Sequence, residues 1–126
     1  MRQGWAGALL RENSSIVNVT SIAAHRGAPI NAHYAASKGG LLTFTRSLAW
    51  ELGPRTRVNT VSPGIIETPM ATELIQRRGA ESMAQSPMKR LGHPREIATA
   101  IGFLCSSAAS FITGEALQVN GGLLMD

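Results

Sequence analysis

Two short β-branched runs, Ser15-Ile-Val-Asn-Val-Thr20 and Val58-Asn-Thr-Val61, bracket a segment from His33 to Leu52 whose apolar residues recur at helical spacing. Neither run alternates cleanly between polar and apolar residues, so each reads as a strand covered on both faces, the pattern of a parallel sheet. Parallel neighbours cannot be joined by a tight turn, and the helical segment is long enough to supply the crossover. A third run, Leu117 to Val119, closed by Asn120-Gly-Gly122, continues the order. The expected fold is α/β, with about three parallel strands, right-handed crossovers and flanking helices.

The crossover helix carries Leu41, Phe44, Leu48 and Leu52 as its apolar stripe, and Gly53-Pro54 stops it. Trp50 lies off that stripe and is expected to cap a neighbouring element or enter a subunit interface. Asn18, inside the first strand, suits packing and hydrogen bonding. Residues 1–12, with Trp5, Ala8 and Leu9 at helical spacing, read as the end of a helix that Asn13-Ser14 terminates. Ile22 to Asn31, rich in Ala and Gly, reads as a loop. Thr68-Pro69 reads as a helix start with a Thr N-cap and Pro in the first position. Residues 70–92, with Met70, Met83 and Met88 among Ala, Gln, Arg and Gly, show no sustained period and are expected to be a mobile lid, the alternative being an ordinary surface helix. A further helix begins at Pro94, with Glu96 favoured in its first turn and Ile97, Ile101, Leu104 and Cys105 as its buried stripe.

At 126 residues the chain has room for one domain. An apolar content of 44% with 16% charged residues excludes a disordered chain, and no apolar run approaches the roughly 20 residues that span a bilayer. The N-terminus does not read as a signal peptide, because its short apolar stretch leads straight into Arg11-Glu12. A single cysteine, Cys105, rules out an internal disulfide and suits a reducing cytoplasm, where it is expected to be a buried, inert thiol. The net charge of +4 comes from scattered Lys and Arg, with too few aromatics between them for base stacking. Neither a nucleic-acid nor a membrane partner is expected.

Tyr34 and Lys38 stand four residues apart, so both project from one helix face one turn apart. An isolated phenol is a poor base at neutral pH, and a neighbouring ammonium favours the phenolate and brings its proton into use. Ser21, at the end of the first apolar run, could hydrogen-bond the same substrate oxygen that Tyr34 protonates. Together these groups suit proton transfer to or from a carbonyl or alcohol. His25 and His33 have no carboxylate partner or second ligand at metal spacing, and no metal is expected.

A Ser thirteen positions before the Tyr, Tyr34-Ala-Ala-Ser-Lys38, Arg57-Val-Asn-Thr-Val-Ser-Pro-Gly64-Ile-Ile66-Glu-Thr68 and Ile112-Thr-Gly-Glu-Ala-Leu-Gln-Val-Asn-Gly-Gly122 occur in this order. In these motifs the chain resembles the C-terminal half of the short-chain dehydrogenase/reductase family. The resemblance implies part of a Rossmann-like, doubly wound parallel sheet, with residues 1–126 as a single partial domain and 70–92 as its substrate-covering segment. It implies Ser21, Tyr34 and Lys38 as the catalytic set. It also implies Tyr34, Lys38, Pro63, Gly64, Ile66 and Thr68 as contacts to NAD or NADP, with a small alcohol or carbonyl substrate.

The family's Gly-rich pyrophosphate turn, the residue selecting NAD against NADP and the catalytic Asn have no counterpart in this sequence. The expectation is therefore a fragment of an enzyme, working as a homo-oligomer or with a complementary N-terminal half. The alternative is an inactive module that docks on a full-length relative through the family's dimer surfaces. An apolar strand edge is expected to lack a partner within the chain.

Overall fold

The structure, a computed structural model, describes residues 10–125. The helix expected over residues 1–12 lies, for residues 1–9, outside the described residues, and residues 10–13 form coil and turn. Asn13 sits at φ 58°, the left-handed region that Asn tolerates, and turns the chain into the sheet.

Strands β1 (Ser14–Val19), β2 (Thr56–Pro63) and β3 (Ala116–Val119) form one parallel sheet in the order β1-β2-β3. The helices are α1 (Ala23–Arg26), α2 (Ala32–Leu52), α3 (Thr72–Gln85) and α4 (Pro94–Cys105). Central β2 is the strand covered on both faces, with Val58 to Ser62 all buried. Edge strands β1 and β3 are only half-buried, because each has a neighbour on one side. Outer β1 thus has an unpaired edge among the described residues, as expected.

Adjacent residues of β1 point to opposite faces. Val17 packs on the cluster of Val61, Leu104 and Ala109, which α4 closes with Ile97 and Ile101. Asn18 donates its amide to the Thr45 hydroxyl of α2 at 2.9 Å. So α2 and α4 cover opposite faces of the sheet. The same hydrogen bond explains why the α2 stripe differs from expectation. The helix buries Leu42, Thr45 and Leu52, while Phe44 is 53% exposed. A half-buried amide on the facing strand needs a polar partner, and a hydroxyl supplies what a phenyl ring cannot. In α4 the stripe matches through Leu104, but Cys105 is exposed rather than buried.

The Arg57 and Asn59 side chains tie the sheet to the α4–β3 connection. Arg57 donates to the carbonyls of Leu104 at 2.8 Å and Ser106 at 3.1 Å, satisfying acceptors that the end of α4 leaves open. Asn59, fully buried, donates to the Ile112 carbonyl at 2.9 Å and accepts from the Glu115 N–H at 3.0 Å. Ahead of α4, the Glu96 carboxylate accepts from the His93 N–H at 3.0 Å and holds Arg90 through two contacts of 2.7 Å.

Two segments depart from the sequence reading. Ile22 to Asn31 contains the one-turn helix α1 rather than loop alone. Most of the stretch expected to be irregular, residues 70–92, is the 14-residue helix α3. Its Leu, Gln, Arg, Glu, Met and Ala are strong helix formers, and Glu73 pairs with Arg77 one turn on at 3.6 Å. Its buried residues are Gly79 and Ser82, so it shows no apolar stripe to read.

Candidate active site

The carboxyl ends of β1 and β2 release the chain into two connections that face each other across a groove of about 370 Å³. Ser21 lies just beyond β1, and its Oγ accepts the Ala23 N–H at 3.1 Å, opening α1. That bond uses a lone pair and leaves the Ser21 proton available to a ligand. Tyr34, in the first turns of α2, is 42% exposed, and its hydroxyl has no hydrogen-bond partner among the described residues. Lys38 Nζ lies 5.9 Å from the Tyr34 ring centroid and donates to the Val19 carbonyl at 3.1 Å. One of its three protons is thereby spent on β1 and the others remain.

From β2, the Pro63 carbonyl accepts the Ile22 N–H at 2.9 Å, and the Gly64 N–H donates to the Val119 carbonyl at 3.0 Å. Gly64 is required by packing, since a Cβ there would stand 2.7 Å from the Asn120 Cβ. Ile66 is held by a β-bridge to Gly92, flanked by Glu67 N–H to Gly92 carbonyl at 2.9 Å and Gly92 N–H to Ile65 carbonyl at 3.1 Å. Thr68 occupies the N-cap position of a 3-10 turn, Pro69–Ala71, yet its side chain makes no capping bond. The expected Thr cap is therefore absent; Pro69 starts the turn as expected, and the half-buried hydroxyl has no hydrogen-bond partner among the described residues.

Ser21, Tyr34, Gly64, Ile66 and Thr68 all line the one groove. Lys38 and Pro63 do not border it and hold the ends of β1 and β2 instead. The residues fit the nicotinamide end of a dinucleotide. The groove pairs apolar walls from Ile65, Ile66 and Leu74 with uncommitted hydroxyls at Tyr34 and Thr68.

His25 has a structural task. Its Nε2 meets the Ser62 Oγ at 2.9 Å, and Ser62 meets the Thr20 Oγ1 at 2.7 Å, a polar relay tying α1 to β2. His33 is exposed. Among the described residues, no three His, Cys, Asp or Glu side chains gather as a metal site, and no helix is long and apolar enough to cross a membrane. A second, smaller cavity of about 130 Å³, between α3 and the end of β3, does not touch Tyr34. Sequence reasoning missed Arg26, Arg77 and Arg78, which also line the groove. The Arg77-Arg78 pair reads as surface charge, and Arg26 carries no sequence signal.

A parallel sheet, a crossover helix bearing Tyr-x-x-x-Lys and a groove at the strand ends define a Rossmann-like α/β protein. The groove places a phenol and a hydroxyl donor together, with an ammonium one turn from the phenol. The chain belongs to the short-chain dehydrogenase/reductase family, as a family model described as enoyl-(acyl carrier protein) reductase matches residues 3–124.

It is 46% identical over 120 residues to a 3-oxoacyl-[acyl-carrier-protein] reductase of Vibrio cholerae, covering 94% of this chain and 49% of that protein. It is 40% identical over 116 residues to nodulation protein G of Rhizobium meliloti, covering 91% of this chain and 47% of the relative. The crystal structure of a glucose/ribitol dehydrogenase of this family from Brucella melitensis superposes with a TM-score of 0.91 at 60% identity, covering 94% of this chain and 49% of that one. A 3-oxoacyl-[acyl-carrier protein] reductase from Brucella melitensis, solved with bound NAD, gives 0.79 at 43% identity, covering 89% and 41%. The chain thus spans about half the length of the curated relatives it matches.

Proposed function

We propose that this chain carries the acid/base half of an NAD- or NADP-dependent oxidoreductase that interconverts an alcohol and a ketone or enone. The observation that supports this reading is the uncommitted Tyr34 hydroxyl on the same groove as Ser21, with Lys38 one turn behind it. Ser21 donates its remaining proton to the substrate oxygen and orients it, and Tyr34 transfers a proton to that oxygen during reduction. Lys38 favours the resulting phenolate and holds the nicotinamide ribose. The Ile66 backbone and the Thr68 hydroxyl meet the carboxamide side, with Pro63 and Gly64 shaping the strand end beneath. When bound, the nicotinamide supplies or accepts the hydride.

An N-terminal half, on the same longer chain or from a partner, supplies the Gly-rich pyrophosphate turn and covers the outer edge of β1. A second copy is the other candidate for that edge, and a cytoplasmic setting goes with either. Titration of NADH and NADPH by calorimetry, with turnover assays on the chain alone and joined to a family N-terminal half, tests the reading. Cofactor binding and turnover that Tyr34→Phe abolishes without lowering the melting temperature are expected. Undiminished turnover in Tyr34→Phe would discard it.

One observation favours a second reading, an inactive module that docks on a full-length relative. Trp50 is 84% exposed on α2 and covers nothing among the described residues. Dinucleotide binding separates the two, because the enzyme requires it and the docking module does not.

A further inference from the structure

Three arginines line the groove, Arg26 from α1 and Arg77 and Arg78 from α3, and among the described residues no Asp or Glu lines it. Arg77 has a partner, Glu73 at 3.6 Å, an exposed pair that contributes little. Arg26 and Arg78 make no ion pair and no side-chain hydrogen bond among the described residues. Outside the groove, Arg55 pairs with Glu12, Arg57 with three carbonyls and Arg90 with Glu96, while the exposed Arg11, Arg46 and Arg95 have no side-chain partner among the described residues. What sets Arg26 and Arg78 apart is that they share one concave wall. Two uncompensated cations on the wall of one groove raise its local potential and favour an anionic ligand. The remaining wall is hydrocarbon, with Ile22, Met70 and Leu74.

Resting on the oxidoreductase reading above, we propose that the substrate is an apolar alcohol or carbonyl compound bearing a carboxylate or phosphate, which Arg26 and Arg78 hold. The planar guanidinium fork matches either anion bidentately. The hydrocarbon body lies along Met70 and Leu74, and the reacting oxygen lies at Tyr34 and Ser21. A neutral polyol or simple ketone leaves both arginines unused. The same cations could instead meet the pyrophosphate of the dinucleotide, and the experiment separates the two anions.

Binding of 3-hydroxyoctanoate, its neutral methyl ester and octyl phosphate to the full chain is measured by calorimetry at pH 7. A charge-assisted pair predicts an advantage of about tenfold for each anion over the ester. In the double variant Arg26→Gln, Arg78→Gln the advantage disappears, whereas Arg26→Lys, Arg78→Lys keeps part of it, assigning the effect to charge rather than to altered folding. Equal binding of acid and ester by the unmodified chain overturns the inference. So does an advantage that survives the Gln variant, or a Gln variant that weakens NADH while leaving the advantage intact. Cofactor-dependent oxidation of the ester with no preference for the acid would leave the oxidoreductase reading standing alone. Arginine-dependent preference for the acid, with no oxidation even by the chain joined to a family N-terminal half, would sink that reading and keep the anion site.

Discussion

Lys38 donates to the Val19 carbonyl at 3.1 Å, while the same nitrogen stands 5.9 Å from the ring centroid of Tyr34. One side chain thereby fastens α2 to the end of β1 and sets a cation beside the phenol. In an active assembly, Lys38→Ala is expected to lower turnover by about a hundredfold or more and to weaken nicotinamide binding. Stability should fall by no more than about 1 kcal/mol, since the contact is solvent-exposed. Steady-state kinetics and a cofactor titration check this; unchanged values in both would refute the dual role.

Asn59 is fully buried and bridges the Ile112 carbonyl and the Glu115 N–H. In Asn59→Ala both backbone groups lose their partner inside the protein. A loss of about 3 kcal/mol in a denaturant titration is expected. A change below about 1 kcal/mol would mean that water or a local shift satisfies both groups.

The side-chain hydrogen bond from Arg90, aided by the His93 N–H, lowers the Glu96 carboxyl from 4.5 to about 2. A carboxylate with a depressed folded value stabilises the fold fully above its unfolded value and loses that contribution as pH falls through the folded one. The melting-temperature gap between the unmodified chain and Glu96→Gln should therefore be constant down to about pH 4.5 and close towards about pH 2. The pair is solvent-exposed, so added salt should shrink the gap. A gap that stays constant through this window would contradict the assignment.

Helix α3 buries only Gly79 and Ser82, and Met70 ahead of it is 98% exposed. With so little apolar burial, amides in 72–85 are expected to exchange faster than those of α2 and to gain protection when a ligand fills the groove beside Leu74. Equal protection of α2 and α3 without ligand would show that α3 is no lid.

Much of the candidate site was legible because its spacing survives folding. Tyr34 and Lys38 share a face on any α-helix, and Ser21 and Thr68 each stand just past a strand, where this fold collects its ligands. Arg26 and Arg78 were not legible, being 52 positions apart and carried by two helices without a readable apolar stripe. A one-turn helix has no period, and α3 turns small residues inward, so neither shows an apolar stripe.

The sequence by itself determined the strand–helix–strand order, since β-branched runs and a helical apolar period act over a few neighbouring residues. It also determined that Tyr34 and Lys38 share one helix face, which depends only on helical pitch. Tertiary structure alone decided which residues of α2 face inward, because the Asn18 amide on β1 needs the Thr45 hydroxyl. It alone decided that Cys105 is exposed and that only β2 is covered on both faces. Burial is set by what packs opposite, and that partner comes from a distant part of the chain.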